Sequence, residues 1–357
     1  MRDSSTRAFS AVGGQGMSPR SKRDKQRKLI IAALVVVSLL IALFTFLIFG
    51  ELFGWFEEKT PDGPDLPDVT VGDVKLEYED KLVSTNDLHA GDLILINSSF
   101  PYTFPETSDN FLSVCSNRTQ FNYLNANGEN KKVYSYYTQT GEKTSAKLET
   151  KTLEALQAWT DDFFKATNEI DLFIYDNDGY RTAADQTALY NSDPLKYAPS
   201  GQTEHHTGKV IDLYIYTLSG QRFTLDDAEY AGTYSWLYKN AHKYGFIHRY
   251  PSEKATVTGV SNEQYHFRYV GEAHATYMYK NALCLEEYLD LLRDTYVHSK
   301  KHLEFKGDDG VQYVVYYVAA SSDSVTAIPV PKTDAKTSYE ISGDNKEGFI
   351  VTVKIEK

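Results

Sequence analysis

Cysteine is nearly absent from this chain, with Cys115 and Cys284 the two examples among 357 residues. No cysteine cluster exists, so a metal site would have to be built from histidine and carboxylate side chains. Two cysteines so far apart in sequence leave a disulfide open without indicating one. No internal repeat is evident, and this length suits one large domain or a domain with appendages.

Positive charge is scarce outside the N-terminus. The formal net charge is −12, yet residues 1–28 carry eight Lys or Arg against Asp3 and Asp24, which leaves about −18 on the remainder. An acidic body argues against nucleic acid as a partner, because binding there would release no phosphate counterions. Residues 1–28 are polar and rich in Ser, Gly, Lys and Arg, and we expect them to form a disordered, basic cytoplasmic tail.

Charged side chains are absent from residues 29–50, which are mostly Leu, Ile, Val, Ala and Phe. About twenty such residues span the hydrocarbon core of a bilayer as a transmembrane helix. Basic residues precede the run and Glu51, Glu57 and Glu58 follow it, a bias that places the N-terminus in the cytoplasm. The alternative is a cleavable signal peptide, but the run is long for one and no Ala-x-Ala-like site follows. We therefore predict a single-pass anchor in the cell membrane, with the bulk of the chain extracellular.

The rest of the chain divides by composition. Residues 51–70 are acidic and contain several prolines, as expected of an extended linker. Residues 71–300 are predicted to form the main domain. Residues 301–357 are strongly β, with apolar runs at 312–318 and 349–355, and are predicted to form a small C-terminal β extension of unknown role.

Hydrophobic periodicity predicts the elements of the main domain. Helices are expected over 153–170, 182–190, 233–244 and 273–297, and strands over 92–97, 171–175, 211–215 and 266–270. Gly245 is the expected stop of the third helix.

Two separate motifs carry the candidate chemistry. Thr203-Glu-His-His-Thr-Gly-Lys-Val-Ile-Asp212 supplies His205 and Asp212, and Glu263-Gln-Tyr-His266 supplies a second imidazole and a further carboxylate. Two imidazoles and one carboxylate form the ligand set of a catalytic zinc site that keeps a position open for water. Glu263 is then free to accept a proton from that water and to deliver it to a leaving amine.

Spacing within the first motif predicts its geometry. A separation of seven would align His205 with Asp212 on a helix, but β-branched Val210 and Ile211 disfavour helix. On one uninterrupted strand an odd separation would point the two side chains to opposite faces. Gly208 offers a backbone turn that lets both aim inward, with His205 in a loop and Asp212 on a central strand.

Each of these residues also has a less specific interpretation. Surface histidines and hydrogen-bonded aspartates are common, and the metal interpretation depends on both motifs occurring together beside apolar β runs. Further histidines remain candidate ligands by chemistry, although no spacing selects them: His206, His242, His248 and His274. Arg181 follows a predicted strand, a position suited to binding a substrate carboxylate, although a structural arginine is the commoner case.

Four motifs occur in order along the chain. They are Asp178-Gly-Tyr-Arg-Thr182, the motif at 203–212, Tyr244-Gly-Phe-Ile-His-Arg-Tyr-Pro251 and Glu263-Gln-Tyr-His-Phe-Arg-Tyr-Val-Gly271. Together they resemble the motifs of VanY-type D-alanyl-D-alanine carboxypeptidases, which belong to the zinc peptidase group with lysostaphin-like enzymes and the hedgehog fold. The resemblance covers roughly residues 85–300 and implies an α+β fold, a hedgehog/D,D-peptidase-like zinc peptidase domain.

The resemblance also implies roles for seven residues. The zinc ligands would be His205, Asp212 and His266. Glu263 would act as general base, and Arg181 would recognise the substrate carboxylate or stabilise the developing oxyanion. Thr203 matches a substrate-contacting position, and Gln186 matches a glutamine common after the Gly-Tyr-Arg motif. Four positions depart from the family pattern without removing a ligand or the base, so they bear on substrate fit: His206, Val210, Gln264 and Tyr265.

The expected function is that of a membrane-anchored zinc D,D-carboxypeptidase acting on peptidoglycan stem peptides that end in D-Ala-D-Ala. Two alternatives remain open. One is a zinc endopeptidase that cuts inside cross-linked peptides. The other is a non-catalytic wall-binding module with a structural zinc ion, against which the presence of Glu263 argues.

Overall fold

Helices and strands alternate through the middle of the chain, and strands alone follow them. The computed structural model describes residues 76–105, 110–125, 127–216, 222–223, 231–308 and 310–356. Six α-helices lie within these ranges: α1 Thr150–Thr167, α2 Ala183–Ser192, α3 Ala231–Asn240, α4 Ala255–Thr258, α5 Glu272–Lys280 and α6 Leu285–Thr295. Short 3-10 helices at Glu204–Thr207 and Ala241–Tyr244 adjoin the elements that form the candidate site.

The strands are mostly short before residue 300 and longer after it. They are β1 Tyr78–Ser84, β2 Phe111–Ser113, β3 Phe121–Leu124, β4 Asn130–Val133, β5 Tyr137–Thr138, β6 Lys147–Glu149, β7 Leu172–Ile174, β8 Val210–Asp212, β9 Tyr214–Tyr216, β10 Arg222–Phe223, β11 Phe246–His248, β12 His266–Tyr269, β13 Leu303–Lys306, β14 Gln312–Ala319, β15 Val325–Pro331, β16 Thr337–Gly343 and β17 Gly348–Ile355. Three sheets have more than two strands, in the orders β10-β9-β7-β5, β11-β12-β8 and β13-β14-β17-β16.

The sheet β11-β12-β8 positions the candidate site. β12 pairs antiparallel with β8, and His266 lies directly opposite Asp212 in this register. The strand predicted over 211–215 is in fact interrupted at Leu213, so that β8 belongs to this sheet and β9 pairs with β7 in another. The Leu213 N–H donates to the Tyr265 carbonyl oxygen at 2.8 Å, which satisfies the backbone where the chain changes sheets.

Helix α1 packs against this sheet. Its apolar residues recur at helical spacing and are buried: Leu153, Leu156, Trp159, Phe163 and Phe164. The Trp159 ring meets Phe267 of β12 edge-on at 4.9 Å. The helix begins after Glu149, whose carboxylate accepts from the Thr152 N–H, and ends at Asn168 in the left-handed conformation.

The C-terminal sheet β13-β14-β17-β16 has an apolar core of its own. Buried Val314, Tyr316, Phe349, Val351 and Val353 form half of it. The two-stranded sheet of β1 and β15 packs on the same core, since Val83, Ile328 and Val330 belong to it. The strands predicted at 312–318 and 349–355 are therefore present, each longer by one residue at one end.

Two further predicted elements differ from the structure. Residues 92–97, of which 93–96 are buried, form no strand, because their backbone groups bond to a loop and to side chains. The Leu95 N–H donates to the Asp344 carbonyl oxygen, and the Arg268 guanidinium donates to the Asp92 and Ile94 carbonyl oxygens. The predicted helix 273–297 is two helices, α5 and α6, separated by a turn in which Ala282 has φ of 51°.

The N-terminal predictions concern residues that the structure does not describe. The anchor predicted at 29–50, the tail at 1–28 and the linker at 51–70 all lie outside the described ranges. Of the helices that the structure describes, none has the length and apolar character needed to cross a membrane.

Candidate metal centre

Three buried side chains converge at the paired strands β8 and β12. His205, Asp212 and His266 each offer one ligand atom, and these three atoms lie within 4.8 Å of one another. The three residues are 3%, 5% and 4% exposed, respectively. Among the described residues, no other group of three or more His, Cys, Asp or Glu side chains has such an arrangement. Two imidazoles and a carboxylate fit zinc held by three protein ligands.

Local backbone geometry brings His205 to the strand pair. His205 lies in the 3-10 helix Glu204–Thr207, which ends at Gly208 with φ of +66°. A Cβ atom at position 208 would lie 2.4 Å from the Phe111 ring, so both the conformation and the space favour glycine. The chain therefore turns at Gly208 before Asp212, as the spacing predicted, and both side chains face the same point.

Hydrogen bonds orient the two imidazole rings differently. The Nδ1 atom of His205 lies 2.7 Å from the Gly179 carbonyl oxygen, which leaves its Nε2 atom facing Asp212 Oδ2 at 3.5 Å. His266 is reversed, with its Nδ1 atom 2.6 Å from Asp212 Oδ1. The Tyr250 ring stacks on His266, with ring centroids 5.2 Å apart. A metal ion at this point would meet Nε2 of one ring and Nδ1 of the other.

Positive charge is distributed unequally between the two imidazoles. Burial, aided by the Arg181 charge, lowers the pKa of His205 to about 4, so this ring is neutral at neutral pH. Burial also acts to lower the pKa of His266, but the charge and hydrogen bond of Asp212 outweigh it and raise that pKa well above its ordinary value. Burial would raise the pKa of Asp212, yet the two histidines hold it well below its usual range. In the metal-free protein His266 therefore keeps a proton that a divalent cation must displace.

Glu263 lies at the edge of this group, next to a cleft of about 610 Å³. Its Oε2 atom is 4.0 Å from Nδ1 of His266, and its side chain is 32% exposed. Burial raises the pKa of Glu263 above its ordinary value, although the charge of His266 acts in the opposite direction. A carboxylate placed between ligand atoms and an open cleft is suited to proton transfer with a molecule bound there.

Arg181 and Gln186 form a connected pair beside the ligands. An Nη2 atom of Arg181 lies 3.5 Å from Asp212 Oδ2, and its Nε donates to the Asn177 carbonyl oxygen at 2.6 Å. Its Nη1 donates to Gln186 Oε1 at 3.3 Å, while the Gln186 amide donates to the Ala198 carbonyl oxygen at 2.7 Å. Gln186 is 1% exposed. Its amide thus holds the guanidinium and the 193–203 segment together.

Thr203 lines the same cleft and also begins the 3-10 helix that carries His205. Its hydroxyl accepts from the His205 N–H at 3.4 Å. Thr203 thereby links the cleft wall to the backbone of a ligand residue.

Four further histidines that remained candidate ligands lie outside the group of three: His206, His242, His248 and His274. The first of them has a clear structural partner on each side of its ring. Its Nδ1 atom is 2.7 Å from the Arg181 carbonyl oxygen, and its Nε2 accepts from the Gly201 N–H at 3.0 Å. Cys115 and Cys284 are both free, so no disulfide joins them.

A buried cluster of charged side chains lies next to the candidate ligands and was not predicted from the sequence. Glu204 Oε1 accepts from Arg249 Nε at 2.9 Å and lies 3.1 Å from Nη1 of Arg268. All three residues are at most 2% exposed. Burial would raise the pKa of Glu204, but the two arginines hold it well below its ordinary range. The signal was present in the motifs themselves, since Glu204, Arg249 and Arg268 each stand within two residues of a histidine.

Comparisons with known proteins find similar sequences. A family model, VanY, described as D-alanyl-D-alanine carboxypeptidase, matches residues 145–272, a range that contains every candidate site residue. A D-alanyl-D-alanine carboxypeptidase of Enterococcus faecium is 28% identical over 276 residues, which cover 77% of this chain and 79% of the relative. A bifunctional D-Ala-D-Ala dipeptidase and D-Ala-D-Ala carboxypeptidase of Enterococcus gallinarum, VanXYC, is 33% identical over 127 residues, 33% of this chain and 67% of the relative.

A solved structure has a similar fold. It is that of the vancomycin resistance D,D-dipeptidase VanXYg in complex with a D-Ala-D-Ala phosphinate analog, with a TM-score of 0.60 and 23% identity. The match covers 78% of this chain and 99% of that chain. The mixed α and β fold of D,D-peptidases, expected from the four motifs, is thereby confirmed.

Proposed function

Because the chain belongs to the VanY family of D-alanyl-D-alanine carboxypeptidases, we propose that it is a zinc-dependent D,D-carboxypeptidase. Its substrates would be peptidoglycan stem peptides ending in D-Ala-D-Ala, from which it releases the terminal D-alanine. One observation carries the proposal: the ligand atoms of His205, Asp212 and His266 lie within 4.8 Å of one another, with Glu263 beside them at the cleft.

The donor set supports zinc over calcium and magnesium. Two imidazole nitrogens and one carboxylate suit zinc, whereas calcium and magnesium prefer oxygen ligands alone. When bound, zinc supplies Lewis acidity, which polarises the scissile carbonyl and makes a water molecule a better nucleophile near neutral pH.

Proton transfer is assigned to Glu263. Its carboxylate would take a proton from the attacking water and return it to the amine of the departing D-alanine. The distance of 4.0 Å from Nδ1 of His266 places it close to the ligands without a direct hydrogen bond to them. Its partial exposure to the cleft leaves one face available to the substrate.

Charge recognition is assigned to Arg181, with Gln186 as the residue that orients it. The guanidinium is held at three points, by Asn177, Gln186 and Asp212, so little conformational freedom would be lost on binding an anion. It would bind the substrate carboxylate or stabilise the developing oxyanion. Substitution separates these roles, since loss of ground-state binding raises KM and loss of oxyanion stabilisation lowers kcat. Thr203 would contact the substrate from the cleft wall.

We also propose where the protein is located. Residues 29–50 would anchor the chain in the cell membrane, with residues 1–28 in the cytoplasm and the peptidase outside, where stem peptides are found. This orientation can be tested by fusing the chain to a reporter enzyme that is active on only one side of the membrane. A reporter fused after Lys357 that is active in the cytoplasm would contradict it.

The test of activity uses the full-length chain in detergent and a peptide ending in D-Ala-D-Ala. Free D-alanine should appear, should stop appearing after chelation and should return with added zinc. Cleavage that persists after chelation, or purified protein that binds no zinc, would overturn the proposal.

The same assay separates the alternatives. The dipeptide D-Ala-D-Ala as substrate measures dipeptidase activity, which one relative also has by name. An endopeptidase would cut cross-linked substrate into fragments of lower mass and would release no free D-alanine. A wall-binding module with a structural zinc ion would bind zinc and peptidoglycan. The Glu263→Gln variant would then bind both as well as the wild type does.

A further inference from the structure

Glu204 is a buried carboxylate that the proposed chemistry does not use. It lies between Thr203 and His205 at the start of the 3-10 helix and is 2% exposed, at the base of the cleft that it helps to line. A carboxylate in such a position costs several kcal/mol in desolvation, which nearby charges must offset. Its surroundings therefore indicate what it does.

One oxygen of this carboxylate lies beside two arginines and accepts a hydrogen bond from one of them. Glu204 Oε1 lies 2.9 Å from Arg249 Nε and 3.1 Å from Arg268 Nη1. The remaining Arg249 nitrogens pair with both oxygens of Glu286 on α6, at 2.9 and 2.7 Å. Arg268 donates its other nitrogens to backbone carbonyl groups, including that of Asp92 at 3.0 Å. Two arginines and two glutamates thus form a charge-balanced cluster.

The other oxygen faces a metal-ligand residue. Glu204 Oε2 lies 3.7 Å from Nε2 of His266. Among the described residues, neither of these two buried atoms has a hydrogen-bond partner. A hydrogen bond between them requires about 2.7–3.2 Å, so the two atoms would have to approach each other by roughly 0.5–1.0 Å.

The orientation of the ring decides what such a bond would do. His266 directs Nδ1 to Asp212, so Nδ1 is the atom available to a metal ion. An imidazole that ligates through Nδ1 carries its proton on Nε2 and needs an acceptor there. Within the described residues, the nearby carboxylate oxygen without a partner is Oε2 of Glu204.

We propose that Glu204 is a positioning residue for the metal centre, which accepts the Nε2–H of His266 and so directs Nδ1 toward the metal. Arg249 and Arg268 fix the carboxylate through Oε1 and leave Oε2 for the histidine. The inference rests on the proposed zinc site but not on the reaction catalysed there.

The alternative is that Glu204 merely balances the two arginines. Glu286 provides the matched control, because it is also paired with Arg249 but no described contact joins it to His266. Glu204→Gln and Glu286→Gln each remove one negative charge from the same cluster. Both should lower the thermal stability of the metal-free protein, and only Glu204→Gln should affect the metal centre.

The experiment measures zinc affinity of the full-length protein by competition with a chromophoric chelator. Loss of an outer hydrogen-bond partner of a ligating histidine typically weakens metal binding about 10–100-fold. We expect a change of this size for Glu204→Gln and less than about threefold for Glu286→Gln. Nitrogen NMR of the zinc-loaded wild type should also show His266 protonated at Nε2 and the proton exchanging faster in Glu204→Gln.

Equal zinc affinity in Glu204→Gln and the wild type would overturn the inference, as would an equal loss in both variants. If Glu204→Gln does not fold, Glu204→Asp serves instead, because it retains the charge but shortens the reach to His266. Wild type that binds zinc but cleaves no D-Ala-D-Ala peptide would refute the proposed function and leave this inference standing. Wild type that binds no zinc would refute both.

Discussion

The candidate metal centre and the C-terminal sheet are both buried, but different interactions stabilise them. The sheet encloses apolar side chains, each worth roughly 1.5–3 kcal/mol on burial. The interior around the metal centre instead encloses charged and polar side chains that are at most 7% exposed: Arg181, Glu204, His205, Asp212, Arg249, His266 and Arg268. Buried ion pairs give little net stability, because desolvation offsets their attraction. Because these buried charged side chains add little stability, their presence in the interior indicates a functional role. The apolar side chains of the sheet instead stabilise the fold.

The largest expected effect is at the metal centre. Glu263→Gln should lower kcat for D-alanine release by roughly 100- to 10,000-fold, because an amide cannot accept the proton. Zinc content and thermal stability should stay near those of the wild type. Kinetics and metal analysis on one preparation check both statements, and a kcat unchanged by the substitution would refute the role.

A substitution in the C-terminal sheet should have the opposite pattern. Phe349→Ala removes a ring that is 0% exposed in the sheet's core, and it should lower the free energy of unfolding by about 3–5 kcal/mol. Zinc affinity of the folded protein should not change. Chemical denaturation and zinc titration test the pair of outcomes, and weakened zinc binding without destabilisation would show that the two regions are not separate in function.

Gly208→Ala tests the turn that joins the first two ligands. A Cβ atom would meet the Phe111 ring, and the positive φ adds backbone strain of about 1–3 kcal/mol. Because the turn sets the direction of His205 relative to Asp212, zinc affinity should fall together with stability. Gly259→Ala is the matched control, since Gly259 has φ of +74° but no atom within 4 Å of the added carbon. It should lose stability alone.

The smallest expected effect is the pH dependence of zinc binding. Since the pKa of His266 is raised in the metal-free protein, this ring is protonated near neutral pH and must lose its proton to bind zinc. The lowered pKa of His205 means that this ring loses none. Affinity should therefore rise about tenfold, or 1.4 kcal/mol, per unit of pH between about pH 6 and about pH 7. Titration calorimetry in two buffers should find about one proton released, and none released would contradict the assignment.

That His205 and Asp212 face the same point could be predicted, because this depends on short-range rules. The scarcity of cysteine limited a metal site to histidine and carboxylate ligands. The odd separation of His205 from Asp212 required a turn in the backbone between them, which Gly208 supplies. The direct opposition of Asp212 and His266 could not be predicted, because register between strands that are distant in sequence depends on the whole sheet.

Long-range contacts also explain the elements that were predicted wrongly. Residues 92–97 are apolar enough for a strand, but the Arg268 guanidinium and the loop at Asp344 satisfy their backbone instead. The split between α5 and α6 has neither Gly nor Pro to mark it. A usable signal was Glu287, three residues after Cys284, because the two form a capping box at the start of α6.

The pairing of β1 with β15 has a consequence for how the chain folds. Tyr78 lies opposite Pro331 and Ser84 opposite Val325, so the first described strand is completed by one near the C-terminus. The chain must therefore be synthesised at least as far as Pro331 before this two-stranded sheet is complete, and closing so long a loop slows folding. A chain cut short before Val325 would retain the ligands of the metal centre but expose an unpaired β1 edge that is open to aggregation.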